Sequence, residues 1–207
     1  MITVHHLENS RSQRVLWMLE ELGLPYEIKR YERNKKTMLA PPELKAVHPL
    51  GKSPVIADDR LVVAETGAIA EYLVEKADGK LGAPAHRDAA LRYRFWLHYA
   101  EGSLMPPLLL KLVVGRIPLF GKAALKRIQP MIDVHLDYIE SELAQRPWFA
   151  GDDMTAADIM MSFPLEAARS RGGLDAGRPH TIAWLAKVHD RPAYQTALAK
   201  GGPYAYA

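Results

Sequence analysis

The stretch from Gly51-Lys52-Ser53-Pro54-Val55-Ile56 to Glu65-Thr66 constrains the fold more than any other part of the chain. A short strand that begins with a proline runs into the acidic turn Asp58-Asp59-Arg60, a second strand follows at Leu61-Val62-Val63-Ala64, and a helix opens at Glu65-Thr66. Proline has no N–H to give to a sheet ladder, so Pro54 belongs at a strand start or an edge. A cis bond there would turn the amide and carbonyl of Ser53 towards a ligand instead of a neighbouring strand. Thr66 at a helix start offers a hydroxyl and open N–H groups to an anion. Glu65 beside it can hold an ammonium group. One short region is thus equipped for a peptide backbone, an amine and a carboxylate.

Around this segment the periodicity predicts an α/β unit. Ile2 and Val4 alternate with Thr3 and His5 as in a strand, and Val15, Leu16, Leu19 and Leu22 recur at helical spacing up to Gly23 and Pro25. A second strand is predicted over 26–31, a short irregular helix around Glu43-Leu44-Lys45, strands at 53–57 and 61–64, and a helix from Thr66. The order βαβαββα is that of a thioredoxin-like fold. Asp78 to Pro84 reads as a connection, and beyond it no strand pattern occurs. The expected domains are therefore 1–78, thioredoxin-like, and 85–207, all-helical. In the second, one long helical stretch runs from Arg87 to Val113, bent near Pro106-Pro107. A stripe of Leu125, Ile128, Ile132, Leu136, Ile139 and Leu143 follows, with Pro130 as a kink. Shorter helices are predicted at 155–170, 180–189 and 192–199.

Composition excludes several classes. There is no cysteine in the 207 residues, so no disulfide, thiolate nucleophile or Cys-based zinc site exists, and any thiol chemistry must use a ligand's sulfur. The net charge of +3 lies wholly beyond residue 80, since residues 1–80 carry 12 basic and 12 acidic side chains. The densest basic cluster, Arg33-Asn34-Lys35-Lys36, reads as a solvated surface, and no nucleic-acid partner is expected. No apolar run approaches the roughly 20 residues of a membrane span, and the start of the chain lacks an apolar signal segment, so a cytoplasmic protein without a membrane partner is expected. His5 and His6 point to opposite faces of a strand and no His-Glu-x-x-His motif occurs, so no metal is expected. Gly51-Lys52-Ser53 is also the tail of a phosphate-binding loop, but that motif needs a glycine at Ala46 and a helix, not Pro54, after the serine.

The arrangement Gly51-Lys52-Ser53-Pro54 with Glu65-Thr66 resembles the glutathione site of the cytosolic glutathione transferases. The opening Thr3-Val4-His5-His6-Leu7, Asn9-Ser10-Arg11-Ser12 and the run Leu19 to Tyr26 are similar to the same family. So is Gly151-Asp152-Asp153-Met154-Thr155-Ala156-Ala157-Asp158, which resembles its buried helix-capping motif. The resemblance implies a homodimeric enzyme that joins glutathione, as co-substrate and with no cofactor, to a small hydrophobic electrophile. It implies glutathione contacts from Asn9, Arg11, Lys52, Ser53, Glu65 and Thr66. In serine-type members the active serine precedes a basic residue of the first helix by four, as Ser10 precedes Arg14. The tyrosine type is disfavoured because the first tyrosine is Tyr26, and the cysteine type is impossible. Ser10 is therefore favoured as the catalytic group, with Asn9 and Arg11 as alternatives, and Ser12 is expected to cap the first helix. Tyr99, Met105, Leu108 and Leu109 are candidates for an electrophile pocket, with core packing the competing role. Asp158 is expected to be structural, closing a capping box with Thr155. Leu39-Ala40 departs from the family, many members of which carry a basic pair there for the glycine carboxylate; Lys52 or Lys36 would have to replace it. Two other readings stay open, a glutathione-dependent peroxidase or disulfide reductase, and a related domain that serves as a non-catalytic interaction module.

Overall fold

A computed structural model describes residues 1–118 and 121–206. Its packing divides the chain into two compact units. One comprises Met1–Gly82 together with His189–Ala205, the other Ala83–Val188 with Tyr206. The last stretch of the chain thus groups with the first unit although it follows the helical unit in sequence.

In the first unit, β1 (Ile2–Leu7) lies parallel to β2 (Tyr26–Tyr31) and antiparallel to β3 (Val55–Asp58), which pairs antiparallel with β4 (Leu61–Ala64). The sheet order is β2-β1-β3-β4, and with α1 (Ser12–Leu22), α2 (Leu44–Val47) and α3 (Thr66–Lys76) it gives the expected βαβαββα arrangement. The parallel β1–β2 pair needs a crossover, which α1 supplies. Gly23 ends α1 at φ 70°, where its N–H reaches back to the carbonyls of Leu19 and Glu20.

Helix α1 is buried almost all round, from Ser12 through Leu19. Its apolar stripe faces the sheet, and α9 (Pro192–Gly201) covers the side that an amphipathic helix would leave wet. Trp17 meets Tyr194 edge-on at 5.4 Å. Arg191 and Lys200 each reach a carboxylate of α1, Glu21 and Glu20, at 2.5 Å. A Cβ on Gly201 would stand 2.7 Å from the side chain of Gln13, so glycine lets the end of α9 close on the start of α1.

The second unit is helical among the described residues. The predicted stretch from Arg87 resolves into α4 (Arg87–Tyr99), a π-helical turn at Ala100–Leu104 and α5 (Met105–Val114). Pro106 and Pro107 stand in the first turn of α5, and the wider turn before them accommodates their missing N–H groups. In α6 (Gly121–Leu143) the stripe Ile128, Ile132, Leu136, Ile139 and Leu143 is buried as expected, and the helix runs on through Pro130. Next come α7 (Ala156–Ala167) and α8 (Pro179–His189). Asp158, fully buried, accepts the backbone N–H of Thr155 (2.8 Å), the Thr155 hydroxyl (3.0 Å) and the N–H of Phe149 (2.9 Å), which closes the predicted capping box. No helix among the described residues is long and apolar enough to cross a membrane.

Candidate functional site

The sheet register places the 51–54 segment at one end of β3. The β1–β3 ladder stops at His5 opposite Val55, so Ser53 stands outside it, and the Ser53–Pro54 bond is cis. The Ser53 hydroxyl donates to the carbonyl of His5 (2.8 Å), which ties the loop to the strand beside it. Glu65 precedes α3 at φ 71°, a left-handed value that few side chains adopt without reason. Among the described residues Glu65, Thr66 and Lys52 make no side-chain hydrogen bond or ion pair with the protein. Glu65 and Lys52 are exposed, whereas Thr66 is 6% exposed, so its hydroxyl lies at the floor of this corner.

The turn between β1 and α1 carries Asn9, Ser10 and Arg11, and the serines Ser10 and Ser12 make different hydrogen bonds. The Ser10 side-chain oxygen accepts the N–H of Ser12 (3.2 Å), the first residue of α1, which follows Arg11 at the N-cap position. Ser12, wholly buried, instead faces back into the unit, 2.8 Å from Nδ1 of His6 and 2.8 Å from the Ser10 hydroxyl. It also accepts the N–H of Leu7 and lies within reach of the Leu7 carbonyl, both at 3.2 Å. Burial pushes the His6 imidazole down to about 4, with help from the charge of Arg30 and against a hydrogen bond to the Gly201 backbone, so the ring is neutral near pH 7. The spacing of Ser10 and Ser12 gives no sign of this division, because the deciding partner, His6, lies on the preceding strand.

Asn9 adopts φ 48°, a conformation that asparagine tolerates better than most residues. Its carbonyl oxygen Oδ1 accepts the backbone N–H of Ala205 (2.7 Å). Arg33 holds the same turn from below: its N–H donates to the carboxylate of Glu8 (2.8 Å), and its guanidinium to the backbone carbonyls of Glu8 (3.3 Å), Asn9 (3.4 Å) and Met38 (2.9 Å). Arg33 is therefore a fixed part of this loop, not the freely solvated charge expected of the cluster 33–36. Arg11 is half-buried at the start of α1.

The departure at Leu39-Ala40 has a packing reason at one position: Ala40 packs against the small core cluster of Leu7, Tyr31 and Leu44, while Leu39 is exposed. Lys45, which spacing does not single out, packs on this segment. A Cβ placed on Gly51 (φ 58°) would stand 2.7 Å from Cγ of Lys45, so the Lys45 stem lies along the backbone of Gly51, the neighbour of Lys52 in sequence. Lys36 sits in a turn closed by the Asn34 side chain.

In the second unit, Tyr99 directs its hydroxyl to Nδ1 of His135 (2.5 Å) and joins the rings of Phe95, Trp96 and Tyr138; burial raises its phenol to about 12. Met105 and Leu108 are core residues, as their packing role requires, and Leu109 is exposed at 49%. No group of three metal-ligating side chains converges among the described residues.

Comparison with known proteins agrees with this architecture. Residues 10–76 match the family model of the glutathione S-transferase N-terminal domain, and residues 122–187 that of the C-terminal domain. Glutathione S-transferase 3 of Schizosaccharomyces pombe is 40% identical over 215 residues, which span 97% of this chain and 88% of that protein. The crystal structure of a glutathione S-transferase from Actinobacillus pleuropneumoniae superposes with a TM-score of 0.88 at 36% identity, covering 100% of this chain and 95% of the other. A glutathione transferase family member from Pseudomonas fluorescens, solved with two glutathione bound, has a TM-score of 0.80 at 28% identity and covers 95% and 92%.

Proposed function

Since the chain belongs to the glutathione S-transferase family, we propose that it binds glutathione at the corner formed by the turn 9–11, the 51–54 segment and the start of α3, and joins the sulfur to electrophilic carbon. The observation that carries this reading is the contrast in pairing. Among the described residues the side chains of Glu65, Thr66 and Lys52 have no partner, whereas the hydroxyls of Ser53, Ser10 and Ser12 are bonded. A groove whose charged and hydroxyl groups are left open suits a polar, zwitterionic peptide. Glu65 takes the ligand's ammonium group, and the hydroxyl and open N–H groups at Thr66 take the neighbouring carboxylate. Ser53 aligns the peptide backbone, and Lys52 with Lys45 takes the second carboxylate in place of the absent basic pair.

The chemistry required is thiol ionisation. A free thiol has a pKa near 8.5, so roughly 3% is thiolate at neutral pH, and lowering it by about 2 units needs about 2.7 kcal/mol in favour of the anion. One charge-assisted hydrogen bond contributes about 1.5–3 kcal/mol, and the N-terminal end of α1 adds about 0.3–1 kcal/mol. These suffice without a general base. The thiolate then attacks carbon, the leaving group departs or the acceptor is protonated, and the thiol proton passes to solvent.

A cytoplasmic homodimer completes the reading. Leu91 and Phe95 on α4 and Met131, Val134 and Tyr138 on α6 are exposed by 40–62%, an apolar face that a second copy would cover.

Calorimetry with glutathione tests the ligand, and parallel turnover of a chloronitrobenzene, a hydroperoxide and a mixed disulfide tests the reaction. The expected result is binding, conjugation of the aromatic chloride, and a half-saturation concentration for glutathione at least tenfold higher in Glu65→Ala with unchanged thermal stability. Turnover of only the peroxide or the disulfide would assign a different reaction to the same site. No heat up to millimolar ligand would leave an interaction module.

A further inference from the structure

The hydrogen bonds around the turn 9–11 can be followed proton by proton. The neutral His6 ring has one N–H, and the Gly201 backbone accepts it. Nδ1 is then bare and can only accept, and the group 2.8 Å from it is the Ser12 hydroxyl. Ser12 owns one proton, and both of its remaining uses, His6 Nδ1 and the Leu7 carbonyl, lie inside the unit. In the 2.8 Å contact between the two serines Ser12 is therefore the acceptor and Ser10 the donor. The Ser10 oxygen meanwhile accepts the N–H of Ser12, and the residue is only 5% exposed. The hydroxyl proton of Ser10 points into the protein.

Asn9 has the opposite arrangement. The Ala205 N–H occupies Oδ1 at 2.7 Å, which fixes the amide so that Nδ2 is the other end, and Nδ2 has no acceptor among the described residues. The backbone on which it stands is held by the Arg33 guanidinium through the Asn9 carbonyl. A half-exposed N–H donor on a fixed left-handed turn, beside the start of α1, is placed to meet an anion.

Granted that the ligand is glutathione, we infer that Asn9, through its side-chain N–H, is the donor that holds the ligand's sulfur as a thiolate, that Ser10 caps α1, and that the backbone N–H of Ala205 sets which end of the Asn9 amide faces the sulfur.

The test is the ultraviolet thiolate absorbance of bound glutathione, titrated against pH at saturating ligand in the full-length protein, with calorimetry on every variant. Asn9→Gly removes the carboxamide without straining the left-handed turn, and is expected to raise the thiol pKa by one unit or more with less than a threefold change in dissociation constant. Asn9→Asp, which keeps the acceptor and loses the donor, is expected to raise it at least as far. Ser10→Ala should leave it within about 0.3 units, since each unit corresponds to a tenfold change in ionisation. Ala205→Pro removes the N–H that orients the amide and should raise the pKa part of the way, while Ala205→Gly should not. A shift of one unit in Ser10→Ala or Arg11→Ala with none in Asn9→Gly overturns the assignment while the glutathione reading stands. Absence of glutathione binding in the parent protein overturns both.

Discussion

Ser12→Ala removes one oxygen atom at a position with no solvent exposure, and the structure gives the size of the effect. Four groups lie within 3.2 Å of that oxygen: the N–H and carbonyl of Leu7, Nδ1 of His6 and the Ser10 hydroxyl. An ordinary cap lost to alanine costs about 0.5–2 kcal/mol, because water replaces the missing acceptor. Here no water reaches the site. The Leu7 N–H and the Ser10 hydroxyl lose an acceptor and His6 loses a donor, each a buried polar group left open at about 1–3 kcal/mol. Relaxation recovers part of this, since Ser10 can turn its proton elsewhere. A net loss of about 2–4 kcal/mol is expected, a large share of the roughly 5–15 kcal/mol that holds a domain together. Urea unfolding followed by circular dichroism measures it, with Ser10→Ala as the comparison. Ser10→Ala, which removes the acceptor of the Ser12 N–H at the start of α1, should cost about 0.5–2 kcal/mol. If Ser12→Ala is the milder of the two, or costs under about 1 kcal/mol, the assignment of roles to the two serines is wrong.

Two further outcomes follow from buried carboxylates. Burial raises Asp158 to about 6 against the hydrogen bonds from Phe149 and Thr155, so the stability it contributes is fully present below its unfolded value of 3.8 and is lost as pH rises through about 6. Asp158→Asn should flatten the pH dependence of stability between about pH 4 and 6, while Asp158→Ala, which strands three donors, should cost about 2–4 kcal/mol in urea unfolding at any pH in that range. Asp58 behaves in the opposite sense: hydrogen bonds from Lys76 (2.7 Å) and Tyr72 (2.6 Å) hold it down to about 2, so its contribution is present above 3.8 and is lost as pH falls through about 2. Lys76→Ala should raise the pH midpoint of acid unfolding only slightly, because the lysine is 41% exposed, solvent screens the pair, and Tyr72 still holds Asp58 down.

Where sequence signals are local, they were legible. Apolar periodicity at Val15, Leu16, Leu19 and Leu22 and at Ile128, Ile132, Leu136 and Ile139 defines α1 and α6, because each face is fixed by spacing alone. The Thr155-to-Asp158 spacing gives the capping box for the same reason. What spacing does not contain is a second covering layer. Gln13 and Trp17 sit on a face of α1 that spacing alone does not assign to the core, and α9, nearly 180 residues later, lies on them: Gly201 closes on Gln13 and Tyr194 meets Trp17. The π-helical turn before Pro106 is hidden likewise, since two prolines mark a disturbance without saying how the helix absorbs it.

The candidate site divides along the same line. Glu65-Thr66 and Ser53-Pro54 could be placed from sequence because their roles come from the ends of elements: a helix start and a strand start. The thiol-facing turn could not, because a hydroxyl's role depends on where its single proton goes, and that is set by groups distant in sequence. His6 decides for Ser12, Ser12 for Ser10, and Ala205 for Asn9. The resemblance put Ser10 ahead of Asn9 because Ser10 stands four residues before Arg14 and no tyrosine or cysteine competes for the role. The Asn9 proposal reverses that order on the ground that a donor already used inside the protein has nothing left to offer a ligand. The same logic explains why Glu65, Thr66 and Lys52 carry most of the proposal: among the described residues their side chains have no hydrogen-bond partner, which is read without knowing where any proton points.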